Sequence, residues 1–195
     1  MNTKDFIIDE SFKLFLARSY DGVSINDISN AVCMTKGALY HHFKSKEELF
    51  KLVVDKYLYI PTFTIDAKTN SLYKFILQGN IQAEKKLLFY FKDNKVFTPL
   101  DYFSFVSEIF RHYPDFAKKK TKFINAEIEK ITLILHKAIK IREIREDINV
   151  PLISSSFFSI NMGLLSNLVR KNSIEESILI LREQNFEFYK LLKRS

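Results

Sequence analysis

The chain is poor in the residues that punctuate or cross-link a fold. It has four glycines, four prolines and one cysteine in 195 residues. So few Gly and Pro argue against a turn-rich β-fold and for long helices. One Cys excludes an internal disulfide framework and a cysteine metal cluster, and suits a reducing compartment. No apolar run follows a basic N-terminal start, so no secretory leader is expected. No stretch approaches the ~18 uncharged apolar residues of a membrane span. A cytoplasmic chain with no membrane partner is therefore expected. Strand alternation, internal repeats and low-complexity segments are absent too. So are a Gly-rich phosphate loop, a metal-spaced His/Asp/Glu set, and a nucleophile with a base at motif spacing. No catalytic residue, metal or cofactor is expected.

Apolar residues make up 47% of the chain, enough for a real core. Net charge is +7 and the pI is near 9.3. That charge is unevenly placed. Residues 1–50 carry six Lys/Arg against seven Asp/Glu, and the other 145 carry twenty-four against sixteen. A case for nucleic acid must rest on local arrangement, not on pI.

The stretch from Ser24 to Lys46 supplies that arrangement. Ser24 and Asp27 form an S-x-x-D capping box. Ile25, Ile28 and Val32 then fall on one helical stripe. Cys33 and Met34 make a turn. Thr35 caps a second helix of scarcely two turns, and Ser45 with Glu48 opens a third at Lys46. A helix so short is marginal alone, and Leu39 and Phe43 give it an inward stripe. Lys36, Gly37, Tyr40, His41 and His42 are left facing outward. These are donors around a small residue, as a helix entering the major groove needs. His41 and His42 as a metal pair is disfavoured, because adjacent helical residues diverge by about 100°. Cys33 is read as inert packing rather than a redox sensor.

This segment resembles the DNA-binding domain of the TetR family of bacterial transcriptional regulators. The match rests on Ser11, Leu14, Phe15, Tyr20, Ser24, Ile28, the run from Thr35 to Phe43, Lys46 and Leu49. The family has Ala where Ser11 stands, and Gly where Ser19 and Cys33 stand. Each departure reads as a small stability cost. The resemblance implies an all-α fold of about nine helices. A three-helix DNA-binding domain over residues 1–46 would hold the helix-turn-helix at about 24–43. Residues 47–195 would form a larger helical effector-binding and dimerisation domain. It also implies a homodimer that binds a palindromic double-stranded DNA operator. The DNA contacts would come from Ser24, Thr35, Lys36, Gly37, Tyr40, His41, His42 and Lys46.

Further helices are expected from Lys46 to about Tyr59, Ser71 to Phe91, Pro99 to Tyr113 and Pro114 to about residue 141. Two more are expected at Pro151–Arg170 and from Ile174 to about Leu192. Pro61 would stop or kink the first of these, and Lys92 to Lys95 would break the chain. The run from Lys118 to Lys120 reads as a solvated face or loop. Arg142 stands where the family has Gly. Leu52, Val53 and Tyr57 would face the second domain and make the Lys46 helix a lever.

An apolar or amphipathic effector is expected among residues 70–170, with Phe75, Phe103, Phe110 and Phe158 as candidate walls. Aromatics are not enriched there, so each is a better candidate for core than for ligand wall. Leu152, Phe157, Leu164, Leu168, Ile178, Phe186 and Tyr189 are the candidate dimer contacts. The alternative reading is an all-α enzyme or partner-binding bundle that keeps a degenerate helix-turn-helix. The intact caps and the outward Lys36/Tyr40/His41 set favour DNA.

Overall fold

The computed structural model describes the chain except residues 1, 59–61, 65, 67, 92–97, 114, 172 and 195, and except the side chains of 89–91, 99, 119, 165 and 169. Pro61, Pro114 and the expected break at Lys92–Lys95 lie outside the described residues. The described residues form ten helical segments: α1 (Thr3–Arg18), α2 (Ile25–Ala31), α3 (Lys36–His42), α4 (Lys46–Tyr57), α5 (Leu72–Phe91), α6 (Pro99–His112), α7 (Phe116–Lys140), α8 (Val150–Met162), α9 (Leu164–Lys171) and α10 (Ile174–Leu192). Among them, one antiparallel bridge between Ile144 and Lys193 is the sole extended pairing. The all-α expectation holds. One helix expected over Pro151–Arg170 is two, α8 and α9, because Gly163 interrupts it. A residue without a side chain is where a helix kinks most cheaply.

The packing divides the chain into two compact units, Met1–Tyr59 with Val96–Lys118, and Ile60–Lys95 with Lys119–Ser195. This differs from a boundary at 46/47. The reason is apolar burial: α1 packs on α2, α4 and α6.

In the first unit, Phe12, Phe15, Phe50 and Phe105 are buried to 3% exposure or less. Phe15 and Phe50 meet edge to face at 5.2 Å, as do Phe12 and Phe105 at 5.3 Å. Fully burying such a ring contributes about 1.5–3 kcal/mol, and favourable ring geometry adds about 0.5–1.5 kcal/mol. Val53, expected to face elsewhere, is fully buried here. The Tyr57 ring stacks on Phe12 at 3.8 Å, and its hydroxyl donates to Asp9 at 2.7 Å. The body of α4 is thus committed to α1.

In the second unit, α10 packs on α5, α8 and α9. Phe63, Phe75 and Phe157 cluster with centroids 5.3–6.3 Å apart. Glu143 caps α5 from the other side of the sequence: its carboxylate accepts from the Ser71 hydroxyl and from the Leu72 and Tyr73 N–H groups at 2.9–3.0 Å. A carboxylate there satisfies orphan donors and meets the positive end of the helix. Arg142 enables this by taking φ 61° just after α7. Buried Asn80, Asn161 and Asn185 share a chain of amide bonds, 2.8 Å from Asn185 to Asn80 and 3.2 Å between Asn161 and Asn185.

Candidate nucleic-acid interface

Local side-chain bonds fix the reader. Asp27 N–H donates to the Ser24 hydroxyl at 3.2 Å, and the Asp27 carboxylate takes the Ser24 N–H at 2.8 Å, the reciprocal box expected. The Ser24 hydroxyl also donates to that carboxylate. Both donors of Ser24 are therefore spent on Asp27. Ser24 acts here as a cap, and the phosphate contact expected of it would have to displace that bond. The bonds draw the Asp27 carboxyl below its usual range, the Ser24 hydroxyl contributing most.

The turn is pinned by a residue that pattern reading passed over. The buried Ser29 hydroxyl donates to the Met34 carbonyl, and Met34 N–H returns to the Ser29 carbonyl at 3.0 Å. Cys33 between them sits at φ 54° and is exposed. Thr35 caps α3, accepting from Ala38 N–H at 3.2 Å. Leu39 and Phe43 are buried as expected, at 1% and 3% exposure. At α4, Ser45 accepts from Glu48 N–H at 3.1 Å. Glu48 reaches back to the N–H of Lys44, one residue earlier than a strict box requires, at 2.7 Å.

Lys36, Gly37, Tyr40 and His41 form one exposed surface of α3, with Tyr40 50% exposed. His42 is half-buried, its ring tilted beside Phe43. A Cβ built at Gly37 would meet nothing nearer than the Thr35 hydroxyl at 3.9 Å. A glycine inside a helix costs about 1 kcal/mol relative to Ala. No internal contact calls for it here, which fits a surface that another molecule approaches closely.

Lys46 is not a simple outward cation. Its ammonium donates to the carbonyls of Tyr20 and Val23, each at 2.8 Å, and lies 4.0 Å from the Tyr20 ring centroid. Burial lowers its pKa. An ammonium has three protons. Two are given to the α1–α2 turn, and one remains.

The other expected sites are dispersed. Phe75 and Phe158 are buried in the second unit, whereas Phe103 and Phe110, on α6 of the first, are 47% and 67% exposed. Phe110 packs edge-on against Phe116 at 5.7 Å. The four expected effector walls thus divide between the two units. Among the described residues, a surface groove of about 500 Å³ is lined by Ala126, Glu129, Lys130, Thr132, Leu133 and His136. Of the expected dimer residues, Phe157, Leu164 and Leu168 are buried within the chain's own unit, at 1% exposure or less, and Ile178 at 8%. They stabilise the protomer and are not free to meet a partner. Phe186 and Tyr189 are half-buried against Tyr73 at 5.7 and 5.5 Å. Leu152 is 62% exposed. Among the described residues, no helix is long and apolar enough to cross a membrane.

Among the described residues, a helix-turn-helix thus stands at the N-terminus of a helical chain. Residues 7–53 match the family model described as bacterial regulatory proteins, tetR family. The match spans about a quarter of the chain. It is 34% identical over 83 aligned residues to IcaR, the HTH-type negative transcriptional regulator of the biofilm operon icaADBC in Staphylococcus epidermidis, an alignment covering 37% of this chain and 45% of that protein. IcaR of Staphylococcus aureus is 32% identical over 92 residues, covering 44% and 50%. The chain thus spans about half the length of the curated relatives it matches. Among solved structures, GusR of Salmonella enterica superposes with a TM-score of 0.62 at 20% identity over 96% of this chain and 95% of that one. The SmeT–triclosan complex superposes with 0.67 at 13% identity, over 95% and 90%. At these identities the likeness is one of fold.

Proposed function

We propose that the chain is a homodimeric repressor that binds a palindromic operator through α3 and leaves it when a small apolar or amphipathic effector binds. The observation that carries this reading is the outward face of α3. Four exposed residues there, Lys36, Gly37, Tyr40 and His41, combine donors with a helix glycine that no internal contact requires. Residues 1–46 are the reader. Lys36 and Gly37, at the N-terminal end of α3, address base edges, where sequence is read. Tyr40, His41 and the remaining proton of Lys46 hold phosphates, which fix register without reading sequence. The role of the IcaR relatives, negative regulation, favours repression.

Residues 47–195 supply the dimer contacts and the effector site. In the second unit the rings of Phe63, Phe75 and Phe157 pack on one another and the amides of Asn80, Asn161 and Asn185 bond one another, so an amphipathic molecule seated there would have to part them. Such a molecule releases DNA only if it binds the two conformations with different affinity.

The test is an operator selected from random double-stranded DNA, footprinted, and then titrated with variants. Lys36→Ala should change sequence preference, because it removes a base contact. Tyr40→Phe should weaken all sequences alike. If selection yields no enriched inverted repeat, the reading fails. A thermal-shift screen of amphipathic compounds, followed by operator release, tests the effector half separately.

A further inference from the structure

Folding brings three metal-ligating side chains together that lie 87 or more residues apart between the turn and the helix. Asp21 stands in the α1–α2 turn, and Glu108 and His112 stand one helical turn apart on α6. Ligand atoms of all three lie within 4.8 Å of one another. His112 Nε2 is 3.4 Å from Asp21 Oδ2 and 3.5 Å from Glu108 Oε2. Yet that nitrogen is shielded from solvent and makes no hydrogen bond. One explanation of a shielded polar atom that faces two carboxylates without a bond is an ion that bridges them. The spacing suits one. Ligands about 2.05 Å from a tetrahedral zinc ion are separated from each other by about 3.3 Å.

We propose that Asp21, Glu108 and His112 bind a first-row divalent metal ion, with Zn2+ the best match. One imidazole and two carboxylates form a borderline donor set that suits zinc better than magnesium or calcium, which prefer oxygen alone. Neighbouring groups hold the ligands in place. Tyr20 N–H donates to Glu108 Oε2 at 3.3 Å, and the Tyr20 ring stacks on His112 at 4.2 Å. Arg111 lies 3.6 Å from the other Glu108 oxygen, leaving Oε2 for the ion. Such supports orient metal ligands. The Asp21 side chain is 68% exposed, so the site opens to solvent on that side, giving the ion an entry path and a fourth position for water. The bound ion would tie α6 to the turn that leads into the reader.

The experiment uses the full chain, stripped with chelator and titrated with Zn2+ by calorimetry. Binding of one ion per chain at micromolar affinity or tighter is expected, with a rise in melting temperature by linkage. Asp21→Asn, Glu108→Gln and His112→Gln should each weaken binding at least tenfold. Nitrogen NMR of His112 should report metal on Nε2. Zn2+ that does not bind, or that binds all three variants as tightly as the parent, overturns the proposal; in the second case the ion sits elsewhere, such as at Cys33 or the His41–His42 pair. Should His112→Gln fail to fold, Asp21→Asn decides alone, because that side chain is largely exposed.

Discussion

The ammonium of Lys46 donates to the Tyr20 carbonyl at 2.8 Å and stands 4.0 Å from the centroid of the same residue's ring. One side chain at the start of α4 thus holds both the backbone and the aromatic face of the α1–α2 turn, while Val23 gives it a second carbonyl. The turn itself is tight. A Cβ at Gly22 would lie 2.2 Å from the Arg18 carbonyl, so only glycine fits.

Lys46→Ala should therefore cost stability in the absence of DNA. Hydrogen bonds from a charged donor contribute about 1.5–3 kcal/mol, and the ring contact about 0.5–1 kcal/mol. A loss of roughly 2 kcal/mol is expected, within the range of these terms. Thermal or urea unfolding of the DNA-free variant measures it. A lysine that served phosphate alone would leave that melt unchanged and only reduce the salt dependence of operator binding by about one unit.

The departures from the family pattern make a second prediction. Ser11, where the family has Ala, is fully buried, and its hydroxyl makes no hydrogen bond. Ser19 and Cys33, where the family has Gly, take φ 59° and φ 54°. Such backbone costs about 1–2 kcal/mol per L-residue, and the ψ of 173° at Ser19 lies where glycine is nearly the sole occupant. Ser11→Ala and Cys33→Gly should each raise stability by about 1 kcal/mol, since one removes a desolvated hydroxyl and the other relieves strain. Chemical denaturation of the two single variants and the double variant checks this.

These positions also show what was legible in the sequence. The caps at Ser24, Thr35 and Ser45 are local, three residues from their partners, so spacing alone located α2, α3 and α4. The positive φ at Ser19, Cys33 and Arg142 was legible because each stands in a glycine position of a recognisable pattern. Contacts between distant segments were not. Nothing near Glu143 announces that it caps α5 at Ser71, and Asp21 gives no sign that Glu108 and His112 will face it. The apolar residues of α6, α8, α9 and α10 were equally opaque. Size and hydrophobicity say that Phe110 and Leu164 prefer contact, not whether the contact is core, ligand or partner. Folding assigned Leu164 to the core and left Phe110 outside.

A third prediction concerns acid. The Asp27 carboxyl is held below its usual 3.8 by the Ser24 hydroxyl first, then the Ser24 N–H. A carboxyl with a depressed folded pKa binds fewer protons in the native state than in the unfolded one. Its contribution is complete above the unfolded value and lost as pH falls through the folded value. Stability should decline as pH drops from just above 3.8 into the more acidic range. Ser24→Ala should flatten that part of the decline, and Asp27→Asn should remove it. Unfolding midpoints across the acid range, read by circular dichroism, decide the matter.

The last prediction separates protomer packing from partner packing. Two readers must be held about one helical turn of DNA apart or at a multiple of it, so the proposed dimer needs a surface outside the protomer core. Leu164 and Leu168 cannot supply it, at 0% and 1% exposure. A charge at either should unfold the chain, because an unpaired charge would be buried. Leu152 on α8 and Leu179 on α10 can supply it, being 62% and 52% exposed. Ser155 and Ser159 follow Leu152 outward on α8, small enough for close approach of a second helix. Leu152→Glu with Leu179→Glu should therefore give a folded monomer: helical content and the melt stay near those of the parent, while sedimentation at micromolar concentration shifts to a single chain. Operator affinity should fall steeply with it, since one reader covers only a half-site. A dimer that survives both charges would place the interface on another face of the chain.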